Sequence, residues 1–582
     1  MAEVEIRTER IDDVPLLVRQ QGRMGIPEVL DEVIHSHGNR EGLSVGWLTT
    51  TWLSYILSEA DHRMSEVEPW AEKQIETLSA LLPEPVRVKD FTDDRLADVL
   101  RWLNEDETWE AIETRLGQRL VRLYDLRRGP VRLDSTTAAV YHDTEGNTLF
   151  RHGHSKDHRP DLPQFKVMLG TLDPLGMPLA TLVVAGNEAD DGLYAPAIRR
   201  ARQVVGQGGW LYVGDTKMGA LATRAFVQAG GDYYLMPLAQ TGEVPGLLTA
   251  LLEPVWKRQQ RLERIYAPAG EESDPRRAAI QKKLLALGYE VTRSQEAVVE
   301  SQPVVWEERV LVIYSPSLAK NARRGLAGRL DRAEQELRAL TPPRGRGHRQ
   351  WDDLEALQAV VQTILKKHDV EDLLEVSCVE EVERCPVRKY KDRSARMEER
   401  RRYVVQVERN RQAISAIRRL LGWRLYVNNA PAEELSLVEA VWTYRGAPRI
   451  ERNFQRLKGR PLGIRPLYVQ REEHARGMVR LLSLALRVLT SVEYIVREGL
   501  QASQETLSGL YAGNPQRKTA HPTTERLLRA FCDITLTVVY LEDRTIRHVT
   551  PLSQLQRRIL ALLGLPASIY EDLASSVGLI PP

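Results

Sequence analysis

Cysteine is nearly absent: Cys378, Cys385 and Cys532 are the whole complement of a 582-residue chain. So small and odd a number excludes a disulfide framework and fits a reducing compartment. The spacing of Cys378 and Cys385 matches no common zinc pattern, which makes two buried thiols the better reading. Net charge is nearly absent as well. The 81 Lys+Arg and 80 Asp+Glu leave a formal charge of +1, so only local clusters can point to a polyanionic partner. Long apolar runs are also missing. The longest tract, "MVRLLSLALRVLTSVEYIV", is broken by Arg480 and Arg487 and predicts a buried amphipathic helix, not a membrane span. The opening "MAEVEIRTER" has no signal-peptide core. No internal repeat or low-complexity tract is present. The expectation is a cytoplasmic protein with no membrane partner.

A chain of this length predicts several domains. Its 42% hydrophobic and 28% charged residues are ordinary for a folded protein. Residues 1–128 read as helices, with apolar residues at helical spacing in "IPEVLDEVIHSH", "LSVGWLTTTWLSYILSE" and "DDRLADVLRWLNE". From 129 to 240 the pattern changes. "VRLDSTTAAVY", "NTLFRHG", "PQFKVMLGTLD" and "PLATLVVAG" read as successive strands, followed by alternating helices and strands. That order predicts a mixed α/β sheet. Residues 241–435 shift texture again, with basic helices expected at "EPVWKRQQRLERI" and "LAKNARRGLAGRLDRAEQELRAL" and strands at "QPVVWEERVLVIYS" and "VEDLLEVSCVEEVE". Residues 436–500 return to helix. Residues 501–582 read as short helices plus one strand, "ITLTVVYL", with a possible role in dimerisation.

Three acids stand out. Asp134 lies within the first strand of the sheet, and Asp215 ends a later strand at the turn into a helix. Two aspartates on neighbouring strands suit a shared divalent ion, because Mg²⁺ takes hard oxygen ligands and keeps positions open for water and phosphate. A pair of such ions serves phosphodiester chemistry and calls for a third carboxylate. Glu451 is the candidate. It is the single acid in "TYRGAPRIERNFQRLKGRPLG", among five arginines and one lysine. Tyr444, Glu451 and Lys458 are seven residues apart, about two helical turns, so a continuous helix would align all three. Pro448 predicts instead that one helix stops near Gly446 and another starts at the proline. Glu451 and Lys458 then still share a face.

As an ordered set, "VRLDSTT", "GHSKDHRPDLPQFKVMLGTL", "YVGDTKMGALATRAFVQAGGDYYLMPL" and "YRGAPRIERNFQRLKG" resemble the DDE transposases of bacterial insertion sequences, the IS-four-like superfamily. The resemblance covers about 130–240 and 435–490. It implies an RNase H-like mixed sheet with helices, interrupted by a large insertion domain (241–435) and flanked by helical N- and C-terminal regions. It implies Asp134, Asp215 and Glu451 as catalytic metal ligands for two Mg²⁺ ions, with Mn²⁺ as a possible substitute. Tyr444 and Lys458 fall at the spacings of the family's Tyr–Arg–Glu–Lys signature. The arginine position is Ala447 here, with Arg445 and Arg449 beside it. The partners implied are double-stranded DNA, as transposon ends and as target, and a second copy of the chain in the DNA complex. The implied setting is a bacterial cytoplasm, with nucleoid association when active. Residues 1–128 would serve DNA-end binding. The rival expectations are a DNA-binding protein that has lost transposition and a Mg²⁺-dependent nuclease of the same fold.

Other residues carry weaker signals. His152, His154 and His158 suit no standard zinc spacing, and a basic surface loop is favoured. The related "SKDHRPD" stretch makes Lys156, Arg159 and Asp161 structural or DNA-proximal. Arg388–Arg419 carries twelve Lys/Arg and four Asp/Glu, a balance of +8. This predicts DNA contact, with Arg400 and Arg401 at its centre, over a solvated helix with pairs such as Glu398–Arg402. Trp306 and Trp423 read as core residues more readily than as stacking platforms.

Overall fold

The computed structural model describes residues 5–35, 41–126, 128–268, 284–343, 350–387, 396–446, 448–460 and 462–575. Its centre is a nine-stranded mixed sheet. In chain order the strands are β2 (Val131–Ala139), β3 (Gln164–Leu172), β4 (Met177–Ala185), β5 (Leu211–Val213), β6 (Tyr233–Pro237), β7 (Glu263–Tyr266), β8 (Leu284–Val299), β9 (Gln302–Tyr314) and β12 (Trp423–Asn428). Their spatial order is β4-β3-β2-β5-β6-β12-β9-β8-β7. β2, β3 and β4 meander antiparallel, while β5 and β6 run parallel to β2. The first five strands therefore have the order 3-2-1-4-5 of an RNase H-like core, reached through the crossover helices Tyr194–Val205 and Leu221–Ala229. β3 is buried along its whole length, as expected for a strand covered on both faces. The segment after residue 240 returns to the same sheet: β7, β8, β9 and β12 extend it beyond β6.

Part of that segment has its own core. Helices Pro316–Ala339, Leu354–His368 and Arg411–Leu420 pack on the antiparallel hairpin β10 (Leu374–Val387) and β11 (Arg396–Arg409). Leu330, Leu337, Leu357, Val361 and Val405 meet there. The main core runs from Ile11 to Leu573. Its spine is the 32-residue helix Glu472–Ser503, about 48 Å long at 1.5 Å per residue. Arginines that interrupt this apolar tract are paired inside the protein. The Arg487 guanidinium, fully buried, donates to Glu113 at 2.7 Å. Arg480 donates to the Leu103 and Asn104 carbonyls and pairs with Asp106. Among the described residues no helix is long and apolar enough to cross a membrane.

Four local expectations are corrected. "MAEVEIRTER" holds strand β1 (Glu5–Arg10), which pairs with β13 (Thr535–Tyr540), itself paired with β14 (Thr545–Val549). "NTLFRHG" forms no strand; it makes one bridge, Arg151 to Gln164. "EPVWKRQQRLERI" is the end of helix Val244–Trp256 followed by edge strand β7. The basic stretch 388–419 is not one helix: its central part is β11, followed by helix Arg411–Leu420. Part of its charge is met by ion pairs across the hairpin. Arg402 donates to Glu381 at 2.6 Å, Arg384 to Glu399 at 3.0 Å, and Arg401 lies 3.6 Å from Glu380. Trp306 is buried, donating to the Tyr234 hydroxyl, and Trp423 packs on Tyr314. Cys378 is half-buried and Cys532 exposed; the Cys385 side chain lies outside the described residues.

Candidate active site

β2 and β5 pair in parallel with Arg132 opposite Val213. Two residues further along each chain stand Asp134 and Asp215, so the carboxylates leave the sheet at the same level, from strands spaced about 4.8 Å apart. Asp215 stops β5 and caps the short turn of helix behind it, accepting from the Lys217 backbone N–H at 2.8 Å. Its other partner is the Tyr194 hydroxyl, which donates at 2.6 Å from the start of helix Tyr194–Val205. Burial, then the Asp215 charge, pushes the Tyr194 phenol well above its usual range. The phenol therefore remains a donor and fixes the Asp215 carboxylate.

Asp134 accepts from the Ser135 backbone N–H at 2.7 Å. Burial, with the nearby charges of Asp215 and Asp190, pushes its carboxyl up to about 6; Lys156 works in the opposite direction. The Lys156 ammonium lies 3.7 Å from Asp134 and 3.5 Å from Asp190, and donates to the Ser135 carbonyl at 2.7 Å. Burial of Asp190 is overruled by Lys166, at 2.7 Å, and by Lys156, which together hold it below the usual carboxylate range. Lys156 thus belongs to the aspartate site. Arg159 instead pairs with Asp161 on the exposed loop. His152, His154 and His158 are exposed on that loop.

The helical part arrives in two pieces, as Pro448 predicts: Leu437–Arg445 and Pro448–Lys458. Arg132, on the same face of β2 as Asp134, pins the first. Its buried guanidinium pairs with Asp173 at 2.7 Å and donates to the Thr443 carbonyl at 2.7 Å. Gly446 lies against that guanidinium, and a Cβ there would overlap it. Tyr444 is half-buried edge-on to Tyr426. Burial raises its phenol well above the usual range, with contributions from Asp215 and Asp134, so it lies within electrostatic reach of both acids.

The second helix buries Ile450, Phe454 and Leu457. Asn453 donates to the Gly176 carbonyl at 2.6 Å. Arg456 binds Glu493 and, at 2.8 Å, Glu525. Lys458 donates to Asp157 at 2.8 Å, and Arg465 reaches the same carboxylate. This ties the "SKDHRPD" loop, and with it Lys156, to the Glu451 helix. Glu451 is exposed on the first turn. It lines a cavity of about 310 Å³ with Tyr444, Arg445, Tyr426 and Arg424. Arg445 donates to the Leu285 carbonyl and to Ser315. Ala447 and the side chains of Arg449 and Arg400 lie outside the described residues. Arg401 belongs to the separate two-stranded hairpin.

The donors at Asp134 and Asp215 are hard oxygens, partly desolvated and mutually repelling, which suits a small divalent cation. Among the described residues no group of three or more acidic, histidine or cysteine side chains is gathered closely enough to hold a metal. The structure thus brings the two aspartates together, whereas Glu451 is not gathered with them and lines a cavity that neither aspartate lines. Sequence reasoning missed Tyr194, Asp190, Lys166 and Arg132, which no spacing rule connects to the acids.

No protein-family model matches the chain, and no curated protein matches it. Among solved structures it is similar to the piggyBac transposase synaptic complex with hairpin DNA, at 7% identity and a TM-score of 0.34, over 90% of this chain and 81% of that one.

Proposed function

We propose that the chain is a DDE-type DNA transposase of the insertion-sequence kind. The observation that carries this reading is the paired level of Asp134 and Asp215 on neighbouring parallel strands, with helix Leu437–Arg445 held to β2 through Arg132. Asp134, Asp215 and Glu451 would hold two Mg²⁺ ions. Bound there, the ions supply Lewis acidity for activating a nucleophile and stabilising a leaving oxygen. Tyr194 fixes the Asp215 carboxylate, and Lys156 offsets the repulsion around Asp134. The Lys458–Asp157 pair holds the loop against the helix. Water would cleave the phosphodiester at the element's end, leaving a 3′-OH and a 5′-phosphate; that 3′-OH would then attack a target phosphodiester, forming a new phosphodiester and releasing the target strand's own 3′-OH. No covalent protein–DNA intermediate is required. Two protomers would pair two ends.

The test is incubation of duplex DNA carrying the element's ends with the protein and Mg²⁺. Cleaved ends and joined products are expected. Asp134→Asn, Asp215→Asn and Glu451→Gln each abolish both while leaving duplex binding intact. Cleavage without joining would favour a nuclease, and binding without cleavage a protein that has lost transposition.

A further inference from the structure

Outward from the Glu451 helix, the C-terminal region carries exposed cations that, among the described residues, have no ion-pair partner within 4 Å. Residues 505–523 form a built loop. Leu507, buried, bridges to Thr519, the Gly509 N–H donates to the Pro515 carbonyl at 2.9 Å, and Arg558 holds Glu505 at 2.7 Å. At its tip the half-buried Tyr511 ring carries two stacked guanidiniums, Arg517 at 4.2 Å and Arg526 at 4.1 Å from its centroid. Stacking fixes a guanidinium plane and leaves its N–H edge free for an anion. Lys518 is adjacent and exposed. Arg526 and Arg529 are three apart on helix Thr524–Arg529. Arg529 and Arg460 then line one cavity of about 370 Å³. That cavity is also lined by Asp12, Asp13, Glu59 and Glu525, of which Asp12 pairs with Arg10 and Glu525 with Arg456. Among the described residues, Arg460, Arg517, Lys518, Arg526 and Arg529 have no ion-pair partner within 4 Å. Glu525, within the same stretch, is turned inward to Arg456.

The track is rigidly joined to the candidate site. Arg456 lies five residues beyond Glu451 on one helix, about 7.5 Å of rise. Thr524 and Arg497 clamp the segment to helix Glu472–Ser503 through the Leu489 and Pro522 carbonyls.

We propose that Arg460, Arg529, Arg526, Arg517 and Lys518 form a docking track for the sugar-phosphate backbone of duplex DNA, placing the C-terminal region on the DNA beside the cutting site. The charge of the track matches a phosphate backbone, and side chains spread along a surface contact phosphates without reading sequence. The inference rests on the transposase reading for its partner.

The test is a salt titration of binding to a labelled 30-base-pair duplex without divalent metal, using the full chain. Each phosphate contact contributes about 0.9 to the slope of log K against log salt. Arg517→Gln/Lys518→Gln/Arg526→Gln should flatten the slope by about 2.7 and weaken binding about tenfold or more at 0.1 M salt. Lys320→Gln/Arg323→Gln/Arg324→Gln, which removes three exposed cations from a helix outside the track, should leave the slope unchanged. Arg517→Lys/Arg526→Lys should keep the wild-type slope, which separates lost charge from a collapsed loop. An unchanged slope in the glutamine variant, or an equal loss in the Lys320 control, overturns the track and leaves the transposase reading standing. Failure of the wild-type protein to bind any duplex overturns both.

Discussion

Replacing Glu113 by glutamine strips the neutralising charge from a guanidinium with no route to water. Arg487 is 0% exposed and Glu113 1%. The carboxylate receives Arg487 at 2.7 Å, Arg200 at 3.1 Å and the Thr181 backbone N–H at 3.2 Å. It thereby joins the N-terminal helix Asp106–Leu123 to β4, to helix Tyr194–Val205 and to the central helix. Breaking a buried pair on one side costs about 3–5 kcal/mol, because the remaining charge stays desolvated. Glu113→Gln should destabilise by that amount. Arg487→Met should cost less, since Glu113 keeps Arg200 and the Thr181 N–H. The double variant should cost clearly less than the sum, because neither charge is then stranded. Urea unfolding followed by tryptophan fluorescence measures all three; Trp109, buried beside Arg480 and Arg487, reports on this contact. A Glu113→Gln protein within about 0.5 kcal/mol of wild type, or strict additivity, refutes the reasoning.

Three further outcomes follow from the same geometry. Burial of Glu525 is overruled by Arg456, which holds the carboxyl down to about 2 from its ordinary 4.5. A depressed acid contributes stability above its unfolded pKa and loses it as pH falls through the folded one. Wild-type stability should therefore decline between about pH 4.5 and 2 more steeply than that of Glu525→Gln, as read from urea midpoints. At Gly477 a Cβ would overlap the Leu100 backbone carbonyl where the central helix crosses helix Asp93–Asn104. Gly477→Ala should cost about 1–3 kcal/mol or more in thermal or urea unfolding. Arg132→Met releases the Thr443 carbonyl, so DNA cleavage should fall by more than the variant's folded fraction does, with duplex binding retained.

Much of the sheet is visible in the sequence because β2, β3 and β4 are rich in β-branched and apolar residues between turn signals. The break before Glu451 is visible because proline is disfavoured inside a helix and favoured at its first turn, where Pro448 stands. The failures have physical causes. "NTLFRHG" imitates a strand because Leu149 and Phe150 are buried, Phe150 against Phe165 and His142. Yet they are loop residues plugging the core. β11 reads as a charged helix because its complement, β10, lies about twenty residues away, and cross-strand pairing shows only in the register. β1 pairs with a strand more than 500 residues distant. At the candidate site, Asp134 and Asp215 announce themselves as acids on strands. Lys156 and Tyr194 come to them only through folding: one on an irregular loop, the other at a helix start.

The central claim is that Asp134, Asp215 and Glu451 act as one metal site. Manganese binding, followed by the loss of the free Mn²⁺ paramagnetic resonance signal on titration with protein and duplex, tests it most directly. Wild-type protein should take up two ions, and Asp134→Asn, Asp215→Asn and Glu451→Gln should each reduce or weaken that uptake. Glu451→Gln protein binding Mn²⁺ with wild-type number and affinity would contradict the account.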